Sequence, residues 1–340
     1  METIVLGKTG LIVGRTAFGA LPIQRVPKNR AVRILKKALD GGINFFDTAR
    51  AYTDSEEKLG CAFLGCRDKV IIATKTHAKT GKELLEHLEQ SLCALKTDYV
   101  DILQVHNPQR IPVPGSADGL YEALMKARKK GMVLFSGISN HRLPVAIEAV
   151  KSGFYDVVQF PLSAISSRKD ITLVRECEKH NVGLIAMKPL CGGLIRDAKV
   201  SFVFLRQHRN VVPIWGIQRE KELKEILRLE DAPPLLDRKM MLSIRREREE
   251  LAGDFCRGCG YCLPCPSEIP IPMAARMAFL LRRAPYRQFL TDQWRDNMER
   301  IKNCTLCGEC RKRCPYGLDT PNLLRKMLAD YREFYRAHHG

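Results

Sequence analysis

The sequence predicts an α/β chain in two parts, eight strand–helix units closing into a barrel and then a small, mainly helical, cysteine-rich domain. Three observations carry this. Short apolar or β-branched runs recur every 24 to 33 residues through the first 230 positions, segments of helical period separate them, and eight of the thirteen cysteines crowd between 256 and 314.

GRTAFGA from Gly14 reads as the first strand, and INFFDTA (Ile43), VIIATK (Val70), VDILQVH (Val100), VLFSGIS (Val133), VVQFPL (Val157), LIAMKP (Leu184) and VVPIWG (Val211) as the next seven. Runs that are apolar on both faces are buried parallel strands, because helices cover both sides of such a sheet. Between them the helical spacing is explicit in KELLEHLEQSLCALK, where Leu84, Leu85, Leu88, Leu92 and Leu95 recur at three or four residues. Eight such pairs in about 230 residues match the size of a TIM barrel. An open doubly wound sheet would need a GxGxxG turn after its first strand, and none stands there.

Composition narrows the setting. The chain has 340 residues, 45% hydrophobic and 28% charged, which is globular chemistry and excludes disordered and collagenous readings. No run of eighteen apolar residues offers a membrane span, and METIVLGKTG lacks the layout of a signal peptide, so a cytoplasmic protein is expected. Thirteen cysteines without an export signal point to thiolates that hold metal or perform redox work rather than to disulfides. Lys and Arg total 56 against 38 Asp and Glu, a formal +18 that favours anionic partners, but no nucleic-acid motif accompanies it.

Polar residues fall at the ends of the predicted strands. Asp47 ends the second, Lys75 the third and His106 the fourth, and Tyr52 lies in the loop after Asp47. All four would converge on the barrel's C-terminal mouth, where enzymes of this fold keep their chemistry. Buried Asp and Lys are costly unless paired, so a structural ion pair with an unrelated Tyr and His is the alternative. The four types suit carbonyl reduction. A carbonyl accepting hydride develops negative charge on oxygen and needs a neutral acid beside it. Tyr52 is that acid, an ammonium at Lys75 within hydrogen-bond distance is expected to lower its pKa, Asp47 to orient the ammonium, and His106 to hydrogen-bond the carbonyl oxygen.

GINFFDTARAY, SEEKLG, IIATK, DILQVH and GISN, in that order, resemble the successive motifs of the aldo-keto reductases, and LGKTGLIVGRTAFGA is similar to that family's N-terminal hairpin and first strand. The resemblance covers residues 1 to about 230. It implies that Asp47, Tyr52, Lys75 and His106 are the catalytic tetrad, that Ser139, Asn140 and Gln159 hold a nicotinamide amide, and that NAD(P)(H) reduces a small-molecule carbonyl or oxidises an alcohol. Two departures stand out. Met187 and Lys188 occupy the place where the family offers an aromatic ring to the nicotinamide, although a thioether can still support a planar ring. In IWGIQREKELKEIL, Gly216, Gln218 and the helix start could receive a phosphate on backbone N–H groups with Arg219 or Lys221 as cation, but Glu222 falls near where an Arg is often found.

Residues 231–254 read as a linker with two prolines and a charged helix, and a second domain runs from 255 to 340. Its cysteines form two runs, Cys256, Cys259, Cys262 and Cys265 before Pro266, and Cys304, Cys307, Cys310 and Cys314 before Pro315. The second run is the CxxCxxCxxxCP spacing of bacterial ferredoxins, whose fourth thiolate reaches the other cluster. Zinc is the alternative, but a four-ligand site would leave half of the thiols spare. The fold expected is therefore a (β/α)8 TIM barrel followed by a ferredoxin-like domain, and CRGCGYCLPCP resembles the tail of an aldo-keto reductase branch that carries one. Two 4Fe-4S clusters are expected, one on Cys256, Cys259, Cys262 and Cys314, the other on Cys304, Cys307, Cys310 and Cys265, with a single cluster on the second run plus one distant Cys as the fallback.

Residues 231–340 hold 20 Lys and Arg against 14 Asp and Glu, leaving +6 there and +12 on the barrel. Lys302, Arg311, Lys312 and Arg313 form a basic collar able to dock an acidic electron carrier such as a ferredoxin or flavodoxin. Nicotinamide moves two electrons as hydride whereas a cubane moves one, so a bound flavin is a second cofactor to consider although no flavin motif is visible. Three functions follow: a nicotinamide-dependent carbonyl oxidoreductase, an iron-sulfur electron-transfer enzyme working through flavin or a redox partner, and a non-catalytic redox sensor or subunit.

Overall fold

The structure, a computed structural model, describes residues 1–251 and 255–338, so the last three positions of the expected linker and the final two of the second domain lie outside the described residues. The chain divides into two compact units, Met1–Pro189 with Ala198–Ile244, and Leu190–Asp197 with Arg245–Gly340.

In the first unit an antiparallel hairpin of β1 (Thr3–Val5) and β2 (Ile12–Gly14) precedes eight barrel strands: β3 (Ala17–Gly19), β4 (Phe45–Asp47), β5 (Ile71–Thr76), β6 (Val100–His106), β7 (Val133–Ser139), β8 (Val157–Pro161), β9 (Gly183–Met187) and β10 (Val211–Gly216). They pair in parallel in sequence order, and β10 closes on β3. Leu6 and Val13 of the hairpin are fully buried with Ala17, Phe45 and Val157, the first residues of their strands. That end of the barrel is filled by apolar side chains, which leaves chemistry to the opposite, C-terminal rim.

The covering helices form where the sequence supplies stripe and cap together. After β5, the side chain of Thr80 accepts from Glu83 N and starts the helix Gly81–Leu95, whose Leu84, Leu88, Leu92 and Leu95 are buried, and Lys96 ends it in the left-handed region. Before β9, Ser167 and Asp170 form a capping box on the helix Arg168–Lys179. The helix after β10 is Glu220–Asp231.

Among the described residues the second unit has helices and loops but no strand: Ile271–Ala274, Met277–Arg283, Asp292–Glu299, Glu309–Arg313 and Thr320–His338 are α-helices within it. Its borders differ from the sequence expectation at two places. The charged helix Arg238–Glu250 crosses the unit border at 244/245 instead of forming a separate linker, and residues 190–197, which directly follow the end of β9, belong to the second unit. Arginines hold them there: Arg276 Nη1 donates to Gly192 O at 3.3 Å and Arg283 Nη1 to Leu194 O at 2.8 Å.

Candidate active site and cysteine-lined cavities

Strand register sets the rim. Asp47 closes β4 opposite Ala73, Lys75 lies opposite Gln104, and His106, Ser139 and Gln159 stand in consecutive register across β6, β7 and β8. Lys75 and Asp47 are buried, at 1% and 2% exposure. Lys75 Nζ donates to Asp47 Oδ2 at 2.7 Å and to Thr48 O at 2.6 Å. Burial raises the Asp47 carboxyl and lowers the Lys75 ammonium, and each partner's charge opposes the shift in the other. Glu56, 1% exposed and bonded to Thr74 Oγ1 at 2.6 Å, adds a second anion favouring the Lys75 charge. Sequence reasoning missed Glu56 because it sits inside the helix Ser55–Phe63, away from any strand end.

Tyr52 is half-buried in the loop after β4, and Ser55 N donates to its carbonyl. The expectation for its acidity needs correction. Lys75 Nζ lies 5.2 Å from the centroid of the Tyr52 ring, and its hydrogen bonds go to Asp47 and Thr48. Desolvation first, and the Asp47 charge second, push the phenol above its ordinary range instead of below it.

His106 stands edge-on to Tyr52, with centroids 6.1 Å apart and planes at 82°. Burial, with His77 and Lys75 adding positive charge nearby, drives its pKa well below the usual imidazole value, so the ring is neutral. His106 Nδ1 is buried without a hydrogen-bond partner among the described residues. His77 stacks on His106 at 3.9 Å and 16°. The strand period could have flagged it, since it follows Lys75 by two positions.

The residues expected to hold nicotinamide lie on the same rim but in different states. Gln159 donates weakly to Asp47 Oδ2 at 3.5 Å and keeps a buried Oε1 without a hydrogen-bond partner among the described residues. Asn140 is engaged with its own loops, donating to Pro108 O at 2.8 Å and accepting from Arg142 N at 2.8 Å. Ser139 is buried at the end of β7. Met187 packs into the barrel core, and Lys188 turns the chain at φ 58°.

The phosphate cradle expected at Gly216 and Gln218 is filled from within. Glu222 Oε2 accepts from Gln218 N at 3.0 Å and Arg219 N at 3.1 Å, while Glu222 Oε1 pairs with Arg219 Nε at 3.2 Å. The N–H groups and the guanidinium proposed for a phosphate already serve a carboxylate of the same helix.

In the second unit the eight cysteines ring two cavities. Cys256, Cys259, Cys262 and Cys314 line one of about 360 Å³, with Arg257 and Tyr316. Cys265, Cys304, Cys307 and Cys310 line one of about 390 Å³, which Cys262 also borders. Cys314 thus lies with the first run and Cys265 with the second. Cys256 and Cys262 are buried and Cys307 is exposed. The basic collar is largely paired at home: Lys302 with Glu299, and Lys312 and Arg313 with Glu309.

Comparison with known proteins places both halves. The aldo/keto reductase family model matches residues 10–202, and a 4Fe-4S dicluster domain model matches residues 255–319. The chain is 30% identical over 226 residues to the uncharacterized oxidoreductase YrpG of Bacillus subtilis, covering 57% of this chain and 68% of that protein. It is 30% identical over 216 residues to L-galactose dehydrogenase of Arabidopsis thaliana, covering 58% and 68%. These matches span about two thirds of the relatives' length. In fold, it resembles an aldo-keto reductase of Bacillus halodurans in holo form (22% identical, TM-score 0.64, 74% of this chain and 97% of that one). It also resembles an aldo-keto reductase of Klebsiella pneumoniae in complex with NADPH (21%, TM-score 0.63, 72% and 94%). The chain is an oxidoreductase-type member of the aldo/keto reductase family, with a 4Fe-4S dicluster domain following its barrel.

Proposed function

We propose that this protein reduces a small-molecule carbonyl, or oxidises the corresponding alcohol, with a nicotinamide cofactor, and that Tyr52 is the acid/base. The observation that carries the reading is the buried Lys75–Asp47 pair beneath a half-buried Tyr52 and a neutral His106 at the C-terminal rim. A nicotinamide bound there would supply or accept the hydride. The unpartnered Gln159 Oε1 fits a carboxamide N–H donor, and Ser139, Asn140 and the Met187 thioether complete the set that would hold the ring.

Tyr52 performs the proton step without a lowered pKa. An alkoxide formed at a carbonyl oxygen is a stronger base than a phenolate, so a phenol held above its ordinary range still donates, and it stays protonated through the neutral range. In the reverse direction the phenolate must form first, which favours reduction near neutrality. Neutral His106 orients the carbonyl oxygen by donating one N–H, without adding a charge that would titrate there. Lys75, fixed by Asp47 and Thr48, contributes positive potential toward the ring of Tyr52.

Four thiol side chains around each of two cavities fit two 4Fe-4S clusters, one on Cys256, Cys259, Cys262 and Cys314 and one on Cys265, Cys304, Cys307 and Cys310. Such clusters pass electrons one at a time. The exposed Cys307 and nearby Arg311 favour the second ring as the side that meets an acidic carrier in the cytoplasm. Anaerobic purification with iron, sulfide, flavin and nicotinamide quantified together, followed by NAD(P)H oxidation against a panel of aldehydes and ketones, tests the whole reading. Turnover with bound iron and sulfide and without flavin supports it. Stoichiometric flavin with no nicotinamide turnover would replace it by an electron-transfer enzyme.

A further inference from the structure

Arg276 lies between the helices Ile271–Ala274 and Met277–Arg283, half-buried, against the loop that carries Cys256 and Cys259. Arginines around it pair with carboxylates: Arg282 with Asp330, Arg283 with Glu247 and Glu250, Arg313 with Glu309, Arg332 with Glu299. Arg276 has no carboxylate partner among the described residues. Its Nη1 donates to Gly192 O at 3.3 Å, its Nη2 contacts Met273 Sδ at 3.5 Å, and its buried Nε has no hydrogen-bond partner among the described residues. Burial opposes its charge, and the groups that favour it are Cys256 and Cys191.

Two backbone segments without side chains admit the guanidinium. A Cβ on Gly192 (φ 67°) would come within 2.8 Å of Arg276 Nη1, and one on Gly258 (φ 62°) within 3.0 Å. Gly258 N in turn donates to Cys256 Sγ at 3.3 Å. The cation is thus seated one peptide away from a thiolate of the first ring, with no carboxylate paired to it among the described residues. At the second ring the lining Glu309 is paired with Lys312 and Arg313.

We infer that Arg276 raises the reduction potential of the cluster held by Cys256, Cys259, Cys262 and Cys314, offsetting the desolvation that burial of Cys256 and Cys262 imposes on the more negative, reduced state. The inference rests on the reading of the eight cysteines as two cluster sites. A positive charge this close stabilises the added electron, and potentials of such clusters respond to local charge and solvent exposure. Arg276 is a positioning residue, and Gly192 and Gly258 provide the space it occupies.

The test uses the full-length protein, loaded anaerobically, with matched iron and sulfide content, titrated with dithionite and followed by electron paramagnetic resonance. Cys256→Ser and Cys304→Ser assign the two centres. In Arg276→Gln the equilibrium constant for reducing the first centre falls about tenfold, a shift of about 59 mV downward for one electron. The second centre keeps its potential, and Arg276→Lys stays near wild type. Should Arg276→Gln fail to hold the first cluster, Gly192→Ala, which displaces the guanidinium without removing it, shifts the same centre in the same direction. Unchanged potentials, equal shifts of both centres, or a Lys variant that behaves like Gln would each overturn the inference. Wild-type protein showing fewer than two centres would instead remove the reading of the cysteines, and the inference with it.

Discussion

Replacing Lys75 by Met removes one half of an ion pair whose members are 1% and 2% exposed and 2.7 Å apart. At an effective dielectric of about 20, opposite charges at that distance attract by about 6 kcal/mol, much of which is offset by desolvation of both ions. Breaking such a pair from one side costs about 3–5 kcal/mol, because a carboxylate is left buried. The remaining donors cannot replace the ammonium, since Gln104 and Gln159 reach Asp47 only at 3.4 and 3.5 Å. Asp47→Asn alone leaves the ammonium with Thr48 O and costs somewhat less. The double variant should be more stable than the sum of the singles predicts, with a coupling of about 2 kcal/mol or more. Trp215 is buried in the barrel, so urea unfolding followed by its fluorescence in a Trp294→Phe background reads this unit. Single losses below about 1 kcal/mol, or strict additivity, would refute the argument that this pair is buried and mutually dependent.

Glu222→Ala frees the N–H groups of Gln218 and Arg219, so affinity for NADPH relative to NADH should rise about tenfold by fluorescence titration, one charge-assisted contact being involved. His106 and His141 are held neutral by burial, with pKa values well below 6.5. The unfolded chain therefore binds protons first as pH falls through 6.5: their contribution to stability is complete above that value and declines below it. Urea midpoints measured between pH 7.5 and 5.5 should drop accordingly, and less steeply in His106→Asn. Cys256→Ser and Cys307→Ser should each reduce iron from about eight to about four per chain, one cubane at a time, by iron assay after anaerobic loading.

Much of this was legible in the sequence. Six barrel strands lie within the expected runs and the other two, Ile71–Thr76 and Gly183–Met187, overstep theirs by one residue, because strands covered on both faces must be apolar throughout and their spacing follows from the helix between them. Asp47, Lys75 and His106 at strand ends, and the crossed grouping of the cysteines, follow from topology and spacing. What the sequence hid depends on side-chain direction. Lys75 turns toward Asp47 and Thr48 more than toward the Tyr52 hydroxyl, and no pattern of residue types states that choice. Glu222 could be seen as an odd residue, but its service as the acceptor for its own helix start required the turn geometry. Residues 190–197 follow a barrel strand in sequence yet belong with the second unit, because Arg276 and Arg283, more than eighty positions later, bond their carbonyls.

The acid/base role of Tyr52 is tested most directly by Tyr52→Phe, which keeps the ring and deletes only the hydroxyl. With NAD(P)H and a carbonyl that the wild type reduces, kcat should fall about 10²-fold or more while nucleotide affinity, measured by cofactor fluorescence, stays unchanged. Undiminished turnover in that variant would contradict the account.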